Sequence, residues 1–165
     1  MADGIEQYNL PLKHLAELLW GGDCESYKTN RRGTGYYGCA AHGGYVVDGR
    51  VLTQAEKDKI ERYQPLKIPF HVLVQRQSQG EAIIGTSAVE FSDEARGRHV
   101  RYSPSLGPVE WKKLDVYVFE EDCDWSLLEH ETNIRAEGNT ATPEQKQKQI
   151  EDTFNTWIKP RLKVK

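Results

Sequence analysis

The residues best equipped for chemistry crowd into two short stretches of this 165-residue chain. One runs from residue 35 to 47 and holds Cys39, His42, the tyrosines Tyr36, Tyr37 and Tyr45, and four glycines. The other is Glu120-Glu121-Asp122-Cys123-Asp124-Trp125. His42 is suited to general acid–base work, since an imidazole titrates near neutrality, and Glu120 or Asp122 could orient it or serve as its acidic partner. Cys39 and His42 stand in a C-x-x-H pair, which is half of a zinc site or of a nucleophile–base dyad. Neither reading is completed nearby. The other Cys and His residues lie far off in sequence without paired spacing. A distant base (His71, His99 or His130) for a cysteine nucleophile stays open.

Each group also has a structural reading. On one extended strand, positions 39 and 42 point to opposite faces, which separates a thiol from an imidazole. Cys39 then reads as a small buried hydrophobe. His42 could be held structurally at a strand end, with Gly43-Gly44 leaving space beside it. The acids before Trp125 could bind a metal, but they also suit the start of a helix, whose dipole favours negative charge there. Arg96, Arg98 and Arg101 read as a solvated loop. Clustered with Arg31 and Arg32, they could instead accept a phosphate or an acidic partner.

The elements that must position these groups follow from periodicity. Pro11 opens a helical pattern with Leu12, Leu15, Ala16 and Leu19 on one face, anchored by Trp20 and stopped by Gly21-Gly22. Residues 23–34 read as a polar loop and 36–47 as a strand. Asp48-Gly49 signals a turn. Thr53 and Glu56 form a capping box for a helix to about Tyr63, stopped before Pro65. Residues 68–75 alternate strongly, and 82–91 should pair with them as a hairpin. Residues 92–110 are irregular, with a short strand near Val100. Residues 114–120 form another strand, followed by a short helix that Asp122 or Asp124 would cap and Trp125 and Leu128 would bury. Thr142, Pro143 and Gln145 give a second capping box, and Ile150, Phe154, Trp157 and Ile158 trace the stripe of the helix over 143–158.

Length predicts a single domain over 1–165, with 1–10 and 160–165 frayed. Hairpin signals without regular βαβ spacing predict an α+β fold, a mostly antiparallel sheet with helices packed on one face. The 22 basic and 25 acidic residues leave a formal charge of −3, so there is no basic excess for nucleic acid and direct nucleic-acid binding is not expected. Three cysteines exclude a full disulfide framework. No apolar run reaches the ~20 residues that span a bilayer, and no signal-peptide pattern opens the chain. The expectation is a reduced, cytoplasmic, soluble protein that does not engage the membrane. Without a phosphate-cradling loop, a complete ligand set or a nucleophile motif, no metal and no cofactor are expected.

Ala40-Ala41-His42-Gly43-Gly44-Tyr45 and Glu120-Glu121-Asp122-Cys123-Asp124-Trp125 together resemble a family of small uncharacterised domains of phages, plasmids and other mobile elements, with S-x-H-G-G and E-E-D-x-x-W cores. Ala replaces the usual Ser here. The resemblance implies a mobile-element origin and a part in countering host defence. Two functions compete on this basis. In the first, the domain acts by binding a protein, as an inhibitor of a bacterial defence complex of the anti-CRISPR or anti-restriction type. Its contacts would be Tyr36, Tyr45, Arg96, Arg98 and Arg101, with the loops at 23–34 and 92–110 as the binding surfaces. In the second, it is a small hydrolase or transferase acting on a nucleotide, with His42 and an acid such as Glu120 or Asp122 as catalytic residues. Binding is preferred, since it requires only a complementary surface.

Overall fold

The computed structural model describes residues 10–77, 80–87, 98–99, 109–138 and 140–163. Its centre is a seven-stranded sheet in which every neighbouring pair is antiparallel. The strands are β1 (Glu25–Tyr27), β2 (Thr34–Gly38), β3 (Gly43–Asp48), β4 (Leu66–Gln77), β5 (Gly80–Ser87), β6 (Arg98–His99) and β7 (Val109–Glu120), in the order β1-β2-β3-β7-β4-β5-β6. The helices are α1 (Leu12–Trp20), α2 (Gln54–Glu61), α3 (Trp125–Glu131) and α4 (Pro143–Thr153).

The last long strand, β7, inserts between β3 and β4 and joins the two halves of the sheet. It pairs with β3 through residues 116–120 and with β4 through 109–118. Burial then follows the two-residue alternation of strands. Val46, Ile68, Phe70, Val116 and Val118 pack with Leu12, Leu15, Ala16 and Trp20 of α1. Tyr45, Val47, Tyr117 and Phe119 face the other way, against Ile60 of α2, Leu127 and Leu128 of α3, and Phe154 and Ile158 beyond α4. The fold is α+β as expected. Three helices share one face, and α1 covers the other, so β3 is buried along its whole length.

Both capping boxes form: Thr53 and Glu56 start α2, and Thr142 and Gln145 start α4 with Pro143 in the first turn. Asp48 accepts from the Arg50 amide and begins a short 3-10 turn over Gly49–Val51.

Several expectations need correction. Residues 36–47 are two strands, not one: β2 and β3 form a hairpin with Cys39, Ala40, Ala41 and His42 at its tip. The polar 23–34 segment contains the edge strand β1. The thiols of Cys24 and Cys39 are not free; they form a disulfide that continues the β1–β2 ladder one step beyond Glu25↔Gly38, with Cα atoms 4.3 Å apart. That spacing suits a directly opposed, non-hydrogen-bonded antiparallel pair. Cys39 is therefore neither a reduced core residue nor a nucleophile in this form, and Cys123 is the free cysteine.

A further one concerns Trp157, which is 62% exposed while Ile150, Phe154 and Ile158 are buried. The chain over Phe154–Ile158 is a π turn. With roughly 4.4 residues per π turn, a residue three places after Phe154 swings off the buried stripe while one four places on stays near it. The chain then closes through a 3-10 turn over Lys159–Lys163. There Arg161 pairs with Asp124 and Leu162 packs on the second core, where fraying was expected. At the other end Leu10 is already buried.

Candidate functional site: an aromatic cleft at one end of the sheet

The two chemistry-rich stretches do meet. Gly44 pairs with Glu120, and the Glu121 amide donates to the Gly43 carbonyl at 2.9 Å. The glycines make this approach feasible. A Cβ on Gly44, at φ 144°, would stand 2.1 Å from the Phe119 carbonyl oxygen, and one on Gly43 would stand 2.5 Å from that of Tyr37. Only residues without a Cβ fit between β2 and β7 at this point.

The nominated catalytic residues do not assemble further. His42 is exposed at the hairpin tip, where its carbonyl accepts from the Cys39 amide at 2.8 Å. Among the described residues no hydrogen bond or ion pair ties its imidazole to the acids at 120–124. Asp122 is exposed and Glu120 half-buried, while Asp124 is engaged by Arg161 and makes no side-chain cap for α3. Among the described residues no group of three or more His, Cys, Asp and Glu side chains is gathered as a metal would require. Of the arginines, Arg96 and Arg101 lie outside the described residues, and Arg98 belongs to β6, paired with Thr86. Arg31 binds Glu56 at 2.8 and 3.0 Å and tethers the β1–β2 connection to α2.

What the hairpin does position is a row of rings. Tyr27, Tyr36 and Tyr45 occupy matching positions on β1, β2 and β3, because Tyr27 pairs with Tyr36 and Tyr36 with Tyr45. The rings meet edge to face, with centroids 5.9 Å and then 4.8 Å apart. Such geometry sets the positive edge of one ring against the negative face of the next. Tyr45 is fully buried, Tyr36 half-buried and Tyr27 exposed, so the row climbs from core to surface.

α3 and α4 supply the opposite wall. Together these elements enclose a cleft of about 360 Å³ lined by the three tyrosines, Trp125, Glu121, Glu129, Ala136, Glu137, Gly138, Lys146 and Gln149. Its floor is a connected polar set. The Tyr45 hydroxyl donates to Oε2 of Glu129 at 2.5 Å and accepts from the Ala136 amide at 2.9 Å. The Lys146 ammonium lies 2.9 Å from Oε1 of Glu129 and 4.8 Å from the Trp125 ring centroid. Burial and the Glu129 carboxylate hold the Tyr45 phenol far above its ordinary range. Burial raises Tyr36 as well, assisted by the charges of Glu121 and Glu129.

Of the residues singled out in the sequence, Tyr36, Tyr45, Glu121 and Trp125 thus belong to the cleft; Tyr27, Glu129 and Lys146 complete it. Tyr27 sat in a segment read as a polar loop, and the other two come from helices far along the chain. The recurrence of Tyr at 27, 36 and 45, once β1, β2 and β3 are paired, was the available signal.

No protein-family model, curated protein or solved structure matches this chain. Among the described residues no helix is long and apolar enough to cross a membrane.

Proposed function

We propose that this protein acts by binding another protein, with the aromatic cleft between β1–β3 and α3–α4 as the recognition site. The observation that carries this reading is the composition of the cleft wall: three tyrosines and a tryptophan around a concave space. Tyr and Trp offer large, stiff contact area at low entropic cost and dominate the energetics of many interfaces. The polar groups of the floor engage one another, through the Tyr45 hydrogen bonds and the Lys146–Glu129 ion pair, which favours a fixed receptor over a reactive centre. His42 and Asp122 are exposed and Glu120 is half-buried, with no hydrogen bond among their side chains, so the nucleotide hydrolase or transferase reading has no geometric support. The partner class that we carry with this proposal is the one implied by the sequence resemblance, a component of a host defence system, met in the bacterial cytoplasm.

The test is quantitative affinity capture from bacterial lysate with the intact protein, a Tyr36→Ala/Trp125→Ala variant and a His42→Ala variant, each verified as folded by circular dichroism. The expected result is one specific partner retained by the wild type and by His42→Ala and lost by the cleft variant. Equal capture by the cleft variant would overturn the proposal. So would a nucleotide-processing activity abolished by His42→Ala alone.

A further inference from the structure

We infer that the cleft receives a basic side chain of the partner, an ammonium or guanidinium group seated against the tyrosine row and Glu121. This deepens the binding reading above and rests on it. The first ground is charge. Three carboxylates, Glu121, Glu129 and Glu137, line the cleft with one ammonium, that of Lys146. Glu129 is committed to Tyr45 and Lys146, whereas Glu121 and Glu137 are exposed. The second ground is the chain's own behaviour. Lys146 enters the cleft wall and takes the two contacts that an aromatic, acidic surface offers a cation: a ring face at 4.8 Å and a carboxylate oxygen at 2.9 Å. Aromatic faces attract cations through the ring quadrupole, most strongly where water is partly excluded. The third ground is the field at Tyr36, whose phenol is raised above its ordinary range by burial and then by the Glu121 and Glu129 charges. An anion or phosphate would meet repulsion here. A neutral apolar group would leave the rim carboxylates without a partner.

The volume, about 360 Å³, lies at the lower end for specific ligand sites and suits one long side chain. A lysine or arginine stem could run along the rings with its charge directed to Glu121, burying methylenes while keeping the head paired.

The experiment uses the intact protein and three small probes: n-butylguanidinium, n-butylammonium and n-butylurea, the last a neutral isostere of the first. Binding is followed through the Trp125 indole N–H in nitrogen–proton correlation spectra, assigned with Trp125→Phe. Saturable shifts from both cations are expected, with n-butylurea roughly tenfold weaker or worse, as a cation–π and ion-pair contribution near 1.4 kcal/mol implies. Glu121→Gln, an exposed change that leaves the fold intact, should weaken both cations several-fold and leave n-butylurea unaffected. Equal binding of n-butylurea, or no response of the Trp125 indole to either cation, would overturn the inference. The two readings fail separately. If the cations fail while Tyr36→Ala/Trp125→Ala still loses its captured partner, only the basic side chain falls; if that variant keeps the partner, the binding reading falls with it.

Discussion

Tyr45 and Glu129 are 84 residues apart in sequence, yet the phenol of one donates to the carboxylate of the other at 2.5 Å inside the protein. The bond ties β3 to α3. It also fixes the level of the cleft floor, because the same oxygen accepts from Ala136.

Tyr45→Phe keeps the ring and removes this oxygen, leaving the Ala136 amide and one oxygen of a buried carboxylate short of partners. A loss of about 1–3 kcal/mol in unfolding free energy is expected, the usual cost of stranding buried polar groups. Urea denaturation with an unchanged m-value would measure it, and an unchanged midpoint would refute the role assigned to the bond.

Gly44→Ala places a methyl 2.1 Å from the Phe119 carbonyl oxygen at a φ that side chains rarely adopt. Strain and a displaced β3–β7 ladder should together cost more than about 3 kcal/mol. Gly138 also has positive φ but open space around it, so Gly138→Ala should cost only about 1 kcal/mol. Similar melting temperatures for the two variants would contradict the close packing at the strand crossing.

The π turn separates two neighbouring aromatics. Phe154→Ala removes a ring that is buried against Tyr63 and stacked on His130, and should cost about 3–5 kcal/mol. Trp157→Ala alters an exposed ring and should stay within about 0.5 kcal/mol. Thermal melts of the pair decide the matter, and a large loss on Trp157→Ala would place that ring in the core.

Alkaline pH should unfold the protein. Burial pushes the Tyr37 phenol up to about 12 from its ordinary 10.0, and Tyr36, Tyr45 and Tyr117 are also raised. Between pH 10 and 12 the unfolded chain releases protons that the folded chain retains. Stability is therefore complete below pH 10 and declines as pH rises through this window. Tyr37→Phe should make the decline shallower, as read from denaturation midpoints at stepped pH; an identical slope would exclude Tyr37 as a contributor.

Local chemistry was what the sequence expressed most clearly. The Thr53 and Thr142 boxes form because each depends on four consecutive residues. The β4–β5 hairpin shows in the alternation of residues 68–75, whereas the Gly pair, read as space beside His42, stands at a crowded crossing. Less could be read where local patterns conflict with tertiary structure. Cys39, Ala40, Ala41 and His42 are small or neutral enough to continue a strand, so the hairpin tip between β2 and β3 is concealed. A helical stripe of period 3.6 places Trp157 inside, and one π turn moves it out. The pairing of Cys24 with Cys39 depends on β1, a strand of three exposed residues with no hydrophobic signature. Likewise, nothing near Glu129 or Lys146 in sequence announces that they meet.

The Cys24–Cys39 bridge has a consequence for the cleft. It crosslinks the edge strand that carries Tyr27, the outermost ring of the row, three positions from the sulfur. With the bridge closed, that wall is anchored at one end. With two thiols in its place, a three-residue ladder and the Thr29–Ala136 bridge must hold it. If opening the bridge moves that strand, a ligand that leans on Tyr27 would bind the two redox forms with different affinities. By reciprocity it would shift the thiol–disulfide equilibrium by the same factor, and occupancy of the cleft and oxidation of the cysteines would be a single coupled equilibrium.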